Sequence, residues 1–272
     1  MPTSLYKGRI PVIFKDLNEG FIRGTPDTPP SFGAVPRDFK IDPVEMRDSP
    51  SAMKLIAESD YDAYYDAGEQ AEDSLEHLYL RGDKPAFELL DQNGFPDCWC
   101  HSTAHAIMFD QLKQNLPVVR LNGVAAATLM NRTDGGWCGL SMKFAREKGY
   151  PPICADAPYQ SRKVHNTTAL QAQMKLHADL EDWYDMAKAE YDQDLSKSQL
   201  ATCLFNNLPC PSDYNRFGHS MLSIRYVRIE KGLWGQLTLN SWQGFGYYGL
   251  CVLANMVPDG SCALRSSTPN AA

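Results

Sequence analysis

The sequence predicts an α+β protein, with helices in its first two thirds and strands in its last third. Three observations carry that reading. Apolar residues recur at helical spacing in several stretches between Ser51 and Met186. After about Ser212 the pattern changes to the alternation of strands. The order is helices first and strands later, not a βαβ repeat, which favours two segregated layers.

The elements follow in chain order. Pro26, Pro29, Pro30, Pro36, Pro43 and Pro50 punctuate the first 50 residues, which read as extended chain with one short strand at Ile10 to Phe14. Ser51 to Leu80 turns helical and acidic, with Leu55, Tyr61, Tyr64, Leu75 and Leu78 as inward candidates and Gly68 as the break between two helices. Arg81-Gly82-Asp83 reads as a turn. A helix starts after Asp97, a good cap residue, and carries Ala104, Ile107, Met108 and Leu112 to about Gln114. Asp134-Gly135-Gly136 is a turn. A second helix runs from about Leu140 to Lys148 and stops at Gly149, where Pro151 and Pro152 bar continuation. Thr168 caps a third, with Leu170, Met174, Leu180, Trp183 and Met186 on it. Ser220 to Ile229 and Leu233 to Trp242 read as a hairpin about Glu230-Lys231-Gly232, and Gly249 to Asn255 as another strand. The small, polar stretch 261–272 reads as a flexible tail.

The 272 residues suffice for one large or two small domains. The net charge of −7 argues against a nucleic-acid partner. It is unevenly spread. Ile41 to Leu90 holds 13 acidic and 4 basic residues, a balance of −9 that leaves the rest at +2. The sequence therefore divides into an acidic N-terminal extension (1–84), a main domain (85–260) and the tail. The extension suits an inhibitory segment, an integral lobe or a docking surface for a protein partner. No apolar run is long enough for a membrane span, and the first residues lack a secretory pattern, so synthesis in the cytoplasm is expected, with association with a virus particle one possible destination. Without export the eight cysteines are expected as reduced thiols. No metal or other cofactor is expected: Cys98, Cys100 and His101 are too close for the usual zinc spacing, and His101 and His105 lack an evident third ligand.

The chemistry begins at Cys98. A thiol in the first turn of a helix lies near unpaired N–H groups and the positive dipole end, which favour the thiolate. His219 and Asn240 are equidistant from 229.5, close to the hairpin turn, so an antiparallel pair brings them within a residue or two of each other. An imidazole oriented by an amide and facing a thiol is the arrangement for thiol acyl transfer. Trp242 is placed to shield that contact.

Gln92-Asn93-Gly94-Phe95-Pro96-Asp97-Cys98-Trp99 resembles the active-site stretch of the papain-like cysteine peptidases, which place a Gln six residues before a Cys-Trp pair. Gly218-His219-Ser220 is similar to the family's Gly-His-Ala segment, and Asn240-Ser241-Trp242 to its Asn-Ser-Trp-Gly block. Gly135-Gly136 resembles its cleft-lining glycine pair, and Ala157-Pro158-Tyr159 its Tyr-Pro-Tyr. The blocks keep the family's order and span Gln92 to about Leu253, 162 residues. The resemblance implies a two-lobed fold, with a helical left lobe carrying the nucleophile and an antiparallel β right lobe carrying His and Asn. It implies Cys98 as nucleophile, His219 as base and then acid, Asn240 as orienting residue, and Gln92 with the Cys98 N–H as oxyanion hole. Gly135, Gly136 and Trp242 would contact a peptide or protein substrate.

Four positions depart from the family pattern. Pro96 and Asp97 replace Gly and Ser, and Asp97 sets a negative charge beside the thiol. Phe95 replaces a disulfide-forming Cys, which fits a reducing compartment or a viral or bacterial lineage. Gln243 replaces a Gly. These departures keep open a papain-like fold serving as a structural or binding component of a larger assembly. The same acyl-thioester also keeps open a transferase.

Overall fold

A computed structural model describes residues 12–14, 33–37, 53–81, 84–186, 192–242 and 244–268. In chain order the elements are β1 (Val12–Phe14), α1 (Tyr61–Ala71), α2 (Leu75–Tyr79), α3 (Cys98–Lys113), α4 (Gly123–Leu129), α5 (Cys138–Lys148), α6 (Thr168–His177), β2 (Asp179–Asp185), α7 (Gln193–Phe205), β3 (Cys210–Tyr214), β4 (His219–Glu230), β5 (Leu233–Leu239), β6 (Leu250–Ala254) and β7 (Gly260–Thr268). Among the described residues no helix is long and apolar enough to cross a membrane. All eight cysteines are unbridged.

The strands form one seven-stranded sheet in the order β1-β6-β5-β4-β3-β7-β2. β1 joins β6 in parallel; every other pairing is antiparallel. α3 is buried from Cys98 through Gln111, so it is the central helix of the fold and not an amphipathic surface element. It packs against α4 and α5 on one side and against β4, β3 and β7 on the other. A pair of hydroxyls, Ser102 Oγ and Ser220 Oγ at 2.9 Å, ties it to β4 in a buried setting.

The acidic helices pack into this same core. Ile56, Tyr61, Tyr65, Leu75, Tyr79 and Leu80 belong to the main apolar cluster. Tyr61 packs edge-on to Tyr226 and Trp234, which stack on each other at 5.7 Å. Charge assists the docking. Arg225, on β4, pairs with Glu69 and Glu76, while Arg228 reaches Asp62 at 2.6 Å and Asp66 at 2.7 Å. The excess carboxylates of this segment thus face cations on the strand beneath them.

Several expectations need correction. Gly68 does not break α1, which runs on to Ala71 and ends where Glu72 turns left-handed at φ 52°. Tyr65 is inward where Tyr64 was expected, and Tyr79 is buried beside Leu78, which packs against the core from a half-buried position. The helix cap is Thr167, not Thr168, and α6 stops at His177. Leu180 and Trp183 lie on β2, with Met186 just after it. Register shifts between Leu180 and Trp183 disrupt the alternation that would have marked a strand. The stretch from Ser261 is not a loose tail. As far as Thr268 it is β7, paired on both sides by β3 and β2. A strand inside a sheet accepts small residues where a neighbour's side chains fill the space, and Ser261, Cys262 and Ala263 are buried there. Helices α4 and α7 went unread in the sequence. Gly82 and Asp83 of the expected turn and the substitution at Gln243 fall on positions outside the described residues, as do 269–272.

The Arg225–Glu76 pair generates a test. Both side chains are almost fully buried, and removing one member of such a pair strands the other charge. Arg225→Met should cost about 3–5 kcal/mol in urea unfolding. A loss below about 1 kcal/mol would mean that the acidic helices do not depend on it.

Candidate active site

Cys98 is the first residue of α3, and Asp97 stands at the cap position without its side chain accepting a cap hydrogen bond. The Asp97 carboxylate turns instead to Arg162, 2.9 Å away. Burial pushes its pKa up to about 7 against the opposing pull of that guanidinium. The negative charge that the sequence sets beside the thiol is therefore compensated, and the loop before Cys98 is tied to the 157–163 segment. Arg162 also lies 5.0 Å over the Phe95 ring.

β4 and β5 bring His219 and Asn240 together. Their register begins as Glu230↔Leu233 at the turn and, after two bulges, reads Leu222↔Leu239. Extended beyond the last pair, that register sets His219 opposite Trp242 and diagonal to Asn240 on the same face. The contacts agree. His219 Nε2 lies 2.9 Å from Asn240 Oδ1, and the His219 ring stacks on Trp242 at 4.4 Å with 21° between planes. Since the amide oxygen accepts, Nε2 carries the proton and Nδ1 is the basic nitrogen. His219 Nδ1 is buried and has no hydrogen-bond partner among the described residues.

Gln92 joins the same cluster. Its Oε1 accepts from Ser241 Oγ at 2.6 Å, its Nε2 donates to Phe95 O at 2.9 Å, and its backbone N–H donates to Ser241 O at 3.0 Å. Ser241, which sequence reasoning treated only as part of a motif, thereby locks the loop before α3 to the strand end that holds Asn240. The thiol completes the group. Burial pushes Cys98 up to about 12, although backbone N–H groups of Ser220, Gly33 and Trp99 favour its thiolate. Ser220 adjoins His219, so the Cys98 thiol and the imidazole sit on touching elements. Burial likewise pulls His219 down to about 4. In this closed arrangement burial favours the neutral form of both groups.

A segment of the chain itself, 33–37, lies against this buried cluster. Gly33 and Ala34 lie against the cluster, and the backbone of 33–37 runs between two walls. Gly136 N donates to Gly33 O at 2.9 Å, Val35 N donates to Gly136 O at 3.0 Å, and Ala34 N donates to Gly218 O at 2.9 Å. Ala34 and Gly136 form a parallel bridge. The approach needs glycine on both sides. A Cβ on Gly33 would collide with the Pro96 backbone, and one on Gly136 would lie 2.6 Å from the Trp99 ring. Gly135, at φ +128°, packs against Gly33 O. Sequence reasoning missed this strap, since five residues among prolines carry no period.

The remaining candidates stand apart. His101 Nδ1 lies 3.0 Å from Asp97 O, the cap residue of its own helix. His105 Nε2 accepts from Leu90 N at 3.1 Å. Among the described residues no group of three His, Cys, Asp or Glu side chains is arranged to hold a metal.

No family model and no curated sequence matches this chain. Solved structures do. Procathepsin L 3 from the larval midgut of Tenebrio molitor superposes with a TM-score of 0.54 at 16% identity, covering 66% of this chain and 66% of that one, slightly under two thirds. Xylellain, a cysteine protease from Xylella fastidiosa, gives 0.52 at 14% identity, covering 67% and 84%. A recombinant stem bromelain precursor gives 0.54 at 13%, covering 80% and 75%. The chain therefore has the papain-like two-lobed α+β fold.

Burial of neutral histidines has a consequence for stability. His101, His105 and His219 are held at about 4, 3 and 4, chiefly by burial. The unfolded chain binds their protons near pH 6.5, so between about 6.5 and 4 it takes up more protons than the folded one and stability falls as pH falls. Asp97 acts in the opposite sense, because its raised pKa lets the folded state bind a proton first. His105→Gln removes one acid-sensitive group while keeping an acceptor for Leu90 N–H. The drop in melting temperature between pH 7 and pH 5 should shrink by a few degrees in this variant. An unchanged drop would show that His105 is not buried as the neutral imidazole.

Proposed function

We propose that this protein is a cysteine peptidase held latent by its own residues 33–37. The observation that carries the reading is the buried His219. One ring nitrogen is engaged by Asn240 and the other is unpartnered, next to the strand residue whose N–H reaches the Cys98 thiol. Likeness of fold to procathepsins and cysteine proteases supports it.

In the proposed cycle the Cys98 thiol passes its proton to His219 Nδ1, and Asn240 holds the ring so that this nitrogen faces the nucleophile. The thiolate attacks the peptide carbonyl. The carbon–sulfur bond forms, and the resulting oxyanion is met by the Cys98 backbone N–H and the Gln92 amide. Collapse breaks the carbon–nitrogen bond, and the imidazolium protonates the departing amine. Water, deprotonated by His219, then hydrolyses the thioester and regenerates the thiol. Gly136 offers one N–H and one C=O to the substrate backbone, the two groups that now pair with Gly33 and Val35. Trp242, stacked on His219, keeps water from the Asn240 contact.

Closure by 33–37 accounts for the neutral pair. Burial penalises both charged forms, so a seated strap favours thiol and imidazole over thiolate and imidazolium. Withdrawal of the strap admits solvent and lets the N–H groups around Sγ act on the thiolate.

Gly33→Val unseats the strap because its Cβ meets the Pro96 backbone. In the full-length protein this variant should cleave a mixed peptide library, followed by mass spectrometry, at least about 10-fold faster than the parent. Adding Cys98→Ala should abolish cleavage, and adding Gln92→Ala should lower it by about 10²–10³, the cost of one oxyanion donor. No Cys98-dependent cleavage by the folded Gly33→Val protein would contradict the proposal.

A further inference from the structure

Arg37 follows the strap's Gly136 contact and turns its side chain into the body of the protein. Asp185 binds the guanidinium at both oxygens, Nη1 to Oδ1 at 2.8 Å and Nη2 to Oδ2 at 2.7 Å. The two side chains are only 6% and 3% exposed. Burial by itself disfavours the guanidinium charge, and the Asp185 bond and charge more than restore it. A second buried carboxylate lies within electrostatic reach. Asp213 accepts from Cys138 N at 2.9 Å, acts on Arg37 through its charge, and has an Oδ1 with no hydrogen-bond partner among the described residues. Cys138 and Cys262, with sulfurs 3.8 Å apart, form the wall beside Asp185. Gly139 leaves room for the guanidinium, since a Cβ there would lie 3.3 Å from Arg37 Nη1.

All of these pocket residues come from α5, β2, β3 and β7. Only the occupant comes from the N-terminal segment. The α5 wall begins two residues after Gly136, whose backbone pairs with the strap, so the pocket is continuous with the peptide cradle. We propose that it is a specificity pocket for an arginine side chain of the bound peptide, with Asp185 as the determinant, and that Arg37 occupies it only while the strap is seated. This rests on the peptidase reading for its role in substrate choice. The planar fork of a guanidinium matches the two Asp185 oxygens, whereas an ammonium offers one point of charge. An emptied pocket would leave the buried Asp185 carboxylate with the weak Cys262 thiol contact and no cation, which a cation entering with the substrate resolves.

The test uses the full-length Gly33→Val/Arg37→Ala/Cys98→Ala protein, which empties strap and pocket and removes turnover. The probe is acetyl-Gly-Ala-Val-Pro-Arg-amide, compared with its citrulline and lysine analogues by calorimetry. Citrulline keeps the shape and loses the charge. The arginine peptide should bind about 30-fold more tightly than citrulline, the value of a charged, bidentate contact, with lysine between. Asp185→Asn should reduce that preference to under about threefold, provided its melting curve stays cooperative. Equal affinity for the arginine and citrulline peptides, or no binding of either, overturns the pocket. Because the comparison of peptides needs no Asp185 variant, it stands even where that variant fails to fold. Turnover is read separately in Gly33→Val/Arg37→Ala with Cys98 intact. Arginine-selective binding without hydrolysis leaves the pocket standing and removes the peptidase reading. Hydrolysis indifferent to arginine removes the pocket and leaves the peptidase.

Discussion

The arrangement depends on one short backbone pairing. Residues 33–35 donate and accept across both walls of the cleft, to Gly136 on one side and Gly218 on the other. Three backbone hydrogen bonds of this kind contribute modestly one by one, but in the proposed latent state they are what keeps water from a thiol and an imidazole. The electrostatics of the pair follow from that exclusion. Cys98 at about 12 and His219 at about 4 describe groups whose charged forms have lost solvent and have not yet gained a charged partner. Arg37 anchors the far end of the same segment, so a backbone clasp and a side-chain ion pair act on five consecutive residues.

The scaffold around the pair is tied together by contacts that do not involve the strap. α3 is enclosed on all sides, and a residue at its start has little freedom to move. Ser102–Ser220 fixes the helix against β4, and Ser241–Gln92 fixes the preceding loop against the end of β5. Two bulges in the β4–β5 ladder slide the register until His219 meets both Asn240 and Trp242. Each of these contacts is buried and polar, and each joins segments more than a hundred residues apart or corrects a strand register. They fix the segments that carry Cys98, His219 and Asn240 relative to one another.

Much of this centre was legible in the sequence. The helix after Asp97 begins where the cap and the apolar spacing place it, and the hairpin symmetry brings His219 to Asn240 within the tolerance that two bulges allow. What stayed hidden was encoded at long range. Arg37 and Asp185 are 148 residues apart, and nothing local to either foretells the pair. Asp97 looked like a cap and an electrostatic liability because Arg162, its partner, lies 65 residues downstream. β2 was read as helix because shifts in its register scramble the period of two. β7 was read as a tail because its small residues take their burial from neighbours on both sides. Backbone pairing of 33–35 uses no side-chain signature beyond Gly33 itself.

The central claim is that the strap suppresses a competent thiolate–imidazolium pair. The most direct measurement is the rate of Cys98 alkylation by iodoacetamide across pH, resolved by peptide mapping, in the parent and in Gly33→Val. The account predicts slow labelling of the parent from pH 5 to 8. It predicts fast, Cys98-selective labelling of the variant near neutrality, lost when His219→Ala is added. Labelling of Gly33→Val no faster than an ordinary thiol, in a protein that still folds cooperatively, would contradict it.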